Sequence, residues 1–230
     1  MPDPLDQAAL KQQAADAAVA EVRDGMVLGL GTGSTATLAV SALGKRVKAG
    51  LRVVGIPTSE RTAEQARGLG IPLASFADHT HIDLTIDGAD EVHTGTLDLI
   101  KGLGGALLRE KIVAAASRRM TVIVDESKLA PKLGGVRLPV EIVSFGWQTI
   151  VARLQDEGAD VLVRQGPDGA PFRTDSGNLI ADCAFAIDDP AALHARIKAI
   201  VGVVETGLFI GMATRVIAGT QAGPKILELR

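Results

Sequence analysis

Aromatic side chains are scarce in this sequence, which has no tyrosine, one tryptophan and 3% aromatic residues overall. Proteins that hold single-stranded nucleic acid stack bases on aromatic rings, and that platform is missing here. A basic surplus is missing too: the net charge is −3, so binding to a phosphate backbone is not expected. The lone cysteine, Cys183, has no second thiol with which to close an internal disulfide. That fits a reducing compartment, and a cytoplasmic location is expected. No apolar run approaches the roughly 20 residues that a membrane helix needs, so no membrane partner is expected. The first residues, Met1-Pro2-Asp3-Pro4-Leu5-Asp6, lack the basic and apolar regions of a secretion signal. Metal-ligand spacing is missing as well: His79, His81, His93 and His194 are scattered and read as surface or strand residues.

What is present is a chain of 230 residues, 47% hydrophobic and 22% charged, long enough to bury one large core or two modest ones. Apolar residues recur at helical spacing from Leu5 to Arg23, and Gly25 is placed to end that helix. Short apolar strands are predicted at 26–30, 51–56, 81–86, 97–100 and 120–124. Helices are predicted after 31–35, after Thr58-Ser59 as N-cap, and over 106–116. Strands alternating with helices argue for an open, mainly parallel α/β sheet with helices on both faces. After Pro131 the order becomes strand 137–143, helix 147–156, strands 160–164 and 179–185, helix 190–200 and strand 203–206. That is the split pattern of a ferredoxin-like α+β unit. The expected division is a Rossmann-like domain of residues 1–133 and 208–230, with a smaller ferredoxin-like domain at 134–207.

Loops that follow the strands of an open parallel sheet share one crevice, the usual ligand site. Five polar loops are candidates here: 31–35, 57–62, 87–91, 101–105 and 125–128. Gly29-Leu30-Gly31-Thr32-Gly33-Ser34-Thr35 is a Gly-rich strand-to-helix turn, where backbone and helix N-terminus can approach an anion closely. It is not a dinucleotide fingerprint, because Ser34 stands where the third Gly belongs, and it lacks the Lys of a P-loop. Asp87-Gly88-Ala89-Asp90-Glu91 crowds three carboxylates into five residues, either as a solvated turn or as a site. Lys101 precedes the Gly-rich turn Gly102-Leu103-Gly104-Gly105. Glu110 follows in the first turns of a helix, where it is either a surface ion-pair partner or a general base tuned by burial. Lys128 reads equally as a solvated lysine or as a ligand for substrate hydroxyl or phosphate.

Together these segments resemble the ribose-5-phosphate isomerase A family. The likeness rests on Gly31-Thr32-Gly33-Ser34-Thr35, Thr58-Ser59-Glu60-Arg61-Thr62, Asp87-Gly88-Ala89-Asp90-Glu91, Lys101-Gly102-Leu103-Gly104-Gly105, Arg109-Glu110-Lys111 and Asp125-Glu126-Ser127-Lys128, in that order. It continues through Leu138-Pro139-Val140-Glu141 and Gly207-Leu208-Phe209 and covers nearly the whole chain. The resemblance implies an aldose–ketose isomerase that interconverts D-ribose 5-phosphate and D-ribulose 5-phosphate through an enediolate, in the non-oxidative branch of the pentose phosphate pathway. It implies Glu110 as the proton carrier, with Asp87, Asp90 and Lys101 assisting ring opening and holding the enediolate oxygens. Substrate-binding positions are implied at Thr32, Gly33, Ser34, Thr35, Gly88, Ala89, Gly102, Leu103, Gly104 and Lys128. No cofactor and no metal are implied, because the hydrogen moves as a proton; a homo-oligomer, dimer or tetramer, is. One departure stands out: Thr206 lies where many relatives carry His. Rival readings are a coenzyme A transferase-like enzyme with a carboxylate nucleophile, a sugar-phosphate-sensing regulator and a dinucleotide oxidoreductase. The regulator lacks room for a DNA-binding module before Met26.

Overall fold

The structure is a computed structural model that describes residues 4–229. Helix α1 (Pro4–Ala20) leads into β1 (Val27–Leu30), α2 (Ser34–Lys48), β2 (Val54–Pro57), α3 (Glu60–Gly68) and β3 (Leu84–Asp87). Two short strands follow, β4 (Glu91–His93) and β5 (Leu99–Ile100), then α4 (Leu107–Ala115), β6 (Met120–Asp125) and β7 (Leu129–Ala130). Next come β8 (Leu138–Ile142), α5 (Trp147–Asp156), β9 (Asp160–Val163), β10 (Leu179–Ala184), α6 (Pro190–Lys198) and β11 (Val203–Thr206). The chain ends with β12 (Leu208–Phe209), β13 (Arg215–Gly219) and β14 (Lys225–Glu228).

The main sheet has the order β14-β13-β6-β3-β1-β2, parallel except for the edge hairpin β13–β14. Its central strands are buried on both faces, so they read as continuous apolar runs. Alternate side chains serve opposite layers. Ile123 and Ile217 face α1 and α2, while Met120, Val122, Val124 and Val216 face Phe209, Leu99 and Ala114 on the other side. Helices therefore cover both faces of this α/β sheet. The expected helix end at Gly25 is displaced: α1 stops at Ala20, and Gly25 makes the turn into β1, its N–H donating to Arg52 O at 2.7 Å.

A second sheet, β11-β8-β10-β9, is antiparallel throughout and matches the ferredoxin-like pattern strand for strand. Helices α5 and α6 cover one face through Ile150, Leu154, Leu193 and Ile197. The third sheet, β12-β5-β4-β7, was not expected. Three of its four strands are two residues long, too short to carry a period of two. It corrects the reading of the 97–100 strand, which joins this small mixed layer and not the main sheet. The loop at 101–105 consequently hangs from the small sheet, beneath the ends of the parallel strands.

Candidate active site

The first wall of the site is the turn from β1 into α2. A Cβ at Gly31 would fall 2.2 Å from Asp87 Oδ1, so only glycine lets these two strand ends touch. Thr32 N–H donates to the same oxygen at 3.1 Å. Its hydroxyl is turned into the fold, among those of Thr58, Ser59 and Thr62 at 2.7, 2.8 and 3.1 Å. This buried knot ties the loop after β1 to the one after β2, with Ser59 capping α3 through the N–H of Thr62. Gly33, at φ +114°, starts α2 with no side-chain cap and no carboxylate in the first turn. The positive end of the helix dipole is left for an anion. Two lysines flank it. Lys128 ends the 3-10 turn after β6, and Lys11 on α1 donates to Ser34 Oγ at 3.2 Å.

The opposite wall is a buried charge cluster. Lys101 is 2% exposed, Asp87 0% and Glu110 3%. Lys101 Nζ lies 3.0 Å from Asp87 Oδ2 and 3.5 Å from Glu110 Oε2, and it also donates to Gly88 O. Burial opposes the charge on Lys101, but Asp87 and then Glu110 outweigh it and hold the ammonium above its ordinary value. Burial pushes Glu110 up to about 8, with Asp87 and Asp90 adding repulsion against the pull of Lys101. Burial also raises Asp87, countered by Lys101 and by the amides of Gly88 and Thr32. Glu110 Oε2 has no hydrogen-bond donor. Asp90 is half-buried and accepts Leu103 N–H on Oδ2 at 2.9 Å.

Between these walls lies a cavity of about 120 Å³. The turn into α2 contributes Thr32, Gly33, Ser34 and Thr35; the loop after β3 contributes Gly88, Ala89 and Asp90. Lys101, Gly102 and Gly104 come from the loop after β5, with Glu110 from α4 and Lys128 from the 3-10 turn. Two expected residues stand apart from the lining. Asp87 sits beneath it, a strand residue wholly buried behind Lys101. Leu103 is 45% exposed and meets the site only through its backbone, on Asp90. Sequence reasoning missed Lys11, which does line the cavity. It is the one lysine of an Ala- and Gln-rich helix, and nothing in local spacing marks it.

Among the described residues no three His, Cys, Asp or Glu side chains gather as a metal site. Thr206 lies outside the cavity lining, fully buried, its Oγ1 2.8 Å from His194 Nδ1. The described helices include none long and apolar enough to cross a membrane.

Known proteins bear directly on this arrangement. Residues 54–223 match the family model of ribose 5-phosphate isomerase A (phosphoriboisomerase A). A ribose-5-phosphate isomerase A of Gloeobacter violaceus is 57% identical over 97% of each chain. The structure of ribose 5-phosphate isomerase A from Methanocaldococcus jannaschii superposes with a TM-score of 0.93 at 42% identity, covering 96% of this chain and 99% of that one. A D-ribose-5-phosphate isomerase in complex with phospho-erythronic acid superposes with a TM-score of 0.94 at 39% identity, over 97% and 99% of the two chains. With that identity extending over nearly its full length, the chain belongs to the ribose 5-phosphate isomerase A family.

Proposed function

We infer that this protein is an isomerase interconverting D-ribose 5-phosphate and D-ribulose 5-phosphate, with Glu110 carrying the proton. The observation that carries this assignment is the buried, donor-free Oε2 of Glu110 at the cavity, 3.5 Å from a buried lysine ammonium. The first turn of α2, with Lys11 and Lys128, receives the phosphate, and the reacting carbons lie toward Glu110.

In the open-chain aldose, the Glu110 carboxylate takes the proton from C2. The C–H electron pair forms the C1=C2 bond, and the carbonyl pair moves onto O1. Lys101 faces the negative charge that develops there, in a site where water does not screen it. Asp90 accepts the proton of the O2 hydroxyl and delivers it to O1. Glu110 then returns its proton to C1, leaving a carbonyl at C2. Ring opening needs the same kind of proton transfer, from the O1 hydroxyl to the ring oxygen, and Asp90 is the half-buried carboxylate placed for it. Asp87 acts one step back: buried behind Lys101, it fixes the ammonium and holds the loop after β1 by the N–H of Thr32. Phospho-erythronic acid, the compound bound to a structural relative, has a carboxylate whose two oxygens stand in for those of the enediolate.

The reading includes a homo-oligomer in the cytoplasm, most simply a two-fold dimer. The buried free thiol of Cys183 is consistent with a reducing compartment.

Heavy water tests the central claim. The product should acquire deuterium at the carbon that receives the proton. Glu110→Gln keeps the shape but cannot accept the proton, and should lose roughly 10²–10⁴-fold in turnover while still binding ribose 5-phosphate. A Gln variant near wild-type activity would move the base to Asp90.

A further inference from the structure

The loop that supplies Lys101, Gly102 and Gly104 to the cavity is gripped from behind by the antiparallel sheet. Arg164 follows β9, and its guanidinium makes a two-pronged pair with Asp182 on β10, Nε–Oδ2 at 2.9 Å and Nη2–Oδ1 at 2.5 Å. Both side chains are 16% exposed. Its remaining prong, Nη1, donates to two backbone carbonyls of the loop, Gly102 O and Leu103 O, each at 3.0 Å. A trans peptide directs its N–H opposite to its carbonyl. The Gly102–Leu103 peptide is therefore held at both ends, its carbonyl by Arg164 and its N–H by Asp90 Oδ2 at 2.9 Å. The Leu103–Gly104 peptide is turned the same way, so the N–H of cavity-lining Gly104 points away from Arg164. Phe172, stacked 6.0 Å from the guanidinium, closes on the loop at Gly105.

We propose that Arg164 is a positioning residue for the isomerisation. By fixing the two loop peptides it fastens one oxygen of Asp90 to Leu103 N–H and leaves the other free to move hydroxyl protons of the substrate. Asp182 sets the guanidinium plane, so the pair acts as one device. Arginine is required because the three N–H donors of a lysine radiate from one nitrogen and cannot span a carboxylate and two carbonyls as a planar fork does. This inference rests on the isomerase reading above, and on Asp90 having the role given to it there.

The test is a double-mutant cycle in the full-length protein. Wild type and Asp90→Asn are assayed first. An inactive wild type would sink the isomerase reading, and an undiminished Asp90→Asn would remove the role of Asp90, each separately from Arg164. Arg164→Lys should then lower kcat by about 10- to 100-fold, the scale of a small misplacement of a reacting group. Competitive inhibition by inorganic phosphate, which probes the α2 end, should change less than about twofold. In the Asp90→Asn background, Arg164→Lys should cost almost nothing more, since the route through Asp90 is already gone. Asp182→Asn, which leaves Arg164 in place, should give a smaller loss with the same disappearance, and it serves if Arg164→Lys does not fold. The proposal is overturned if kcat is unchanged in both variants, if their losses multiply fully with Asp90→Asn, or if phosphate inhibition weakens in step with kcat.

Discussion

Glu110 and Lys101 form a unit in which one cation faces two buried carboxylates, so one negative charge is in excess. Burial raises both carboxylates, and the backbone favours charge on Asp87 over Glu110. Asp87 Oδ1 accepts two amides, whereas Glu110 Oε2 accepts none. Glu110 is thus the group pushed to about 8, and kcat/KM should rise with pH toward that value as the base ionises. The stability consequence has a definite sign. Native Glu110 holds its proton between its ordinary value of 4.5 and about 8, where the unfolded chain has lost it. Wild-type stability therefore falls as pH rises through that window. Glu110→Gln removes this dependence. Its melting temperature should exceed that of wild type by several degrees at pH 8.5, with the gap closing toward pH 5; a gap independent of pH would place the proton elsewhere. Lys101→Met has a different signature. It should lower turnover by roughly 10²–10³-fold with little loss of affinity. It should also destabilise the fold by about 3–5 kcal/mol at neutral pH, because the ionised carboxylate of Asp87 loses its counter-charge, and recover stability in acid as Asp87 takes up a proton. Thermal melts at pH 5 and 7.5 separate these outcomes. The residues alone left Glu110, Lys101 and Asp90 open between surface and site, and the family resemblance marked them. It did not show that Asp87, the last residue of a strand buried on both faces, lies beneath the cavity.

At the scale of elements, the anion end of the site is built by three segments far apart in the chain: α1, the start of α2 and the turn after β6. An uncapped helix start is legible from Gly33-Ser34-Thr35, but its reinforcement by Lys11 is a product of how α1 packs on α2. Periodicity gave the first helix its apolar side through Leu10, Ala14, Ala17 and Val22, of which Ala17 is only half-buried, and was silent about the polar side. Lys11→Met, exposed enough to be tolerated, should raise KM for ribose 5-phosphate by about tenfold and leave kcat within about twofold. That is the pattern expected when one charged hydrogen bond to the phosphate is removed from ground state and transition state alike. Added salt should shrink the difference. A fall in kcat with KM unchanged would mean that Lys11 serves the chemistry and not the anchor. The antiparallel sheet was legible strand by strand because each segment carries its own period and its own turn signals. The small sheet was not, since strands of two or three residues are defined by their partners and not by their own sequence. That omission hid the support of the loop carrying Lys101.

For the whole molecule, the notable feature is that no single layer owns the site. The chain leaves the main sheet after β6, builds the antiparallel sheet, and returns through β12 to place β13 beside β6. Main-sheet loops form the wall of the cavity that begins α2, while the Lys101 loop is braced by Gly207, whose carbonyl accepts Lys101 N–H, and by Arg164. Assembly adds a further level. If the enzyme works as a homo-oligomer, sedimentation at micromolar concentration should show no dominant monomer, and a fully active monomer would count against that reading. Ligand binding probes how the layers are coupled. A ligand that binds only the native state stabilises it by about 2.7 kcal/mol at 100 times its Kd. For a chain of this length that raises Tm by roughly 5–10 °C. With phospho-erythronic acid, the whole unfolding transition should move by that amount as one event, because both the α2 end and the Arg164-braced loop are fastened at once. Glu110→Gln should show a similar shift, as it keeps both walls of the cavity. Lys11→Met, binding about tenfold more weakly, should show about half that shift at the same ligand concentration. Calorimetry that resolved two transitions, with only one responding to the ligand, would mean that the antiparallel sheet melts independently. The brace on the catalytic loop would then be lost before the main sheet unfolds, and activity should disappear at the lower transition.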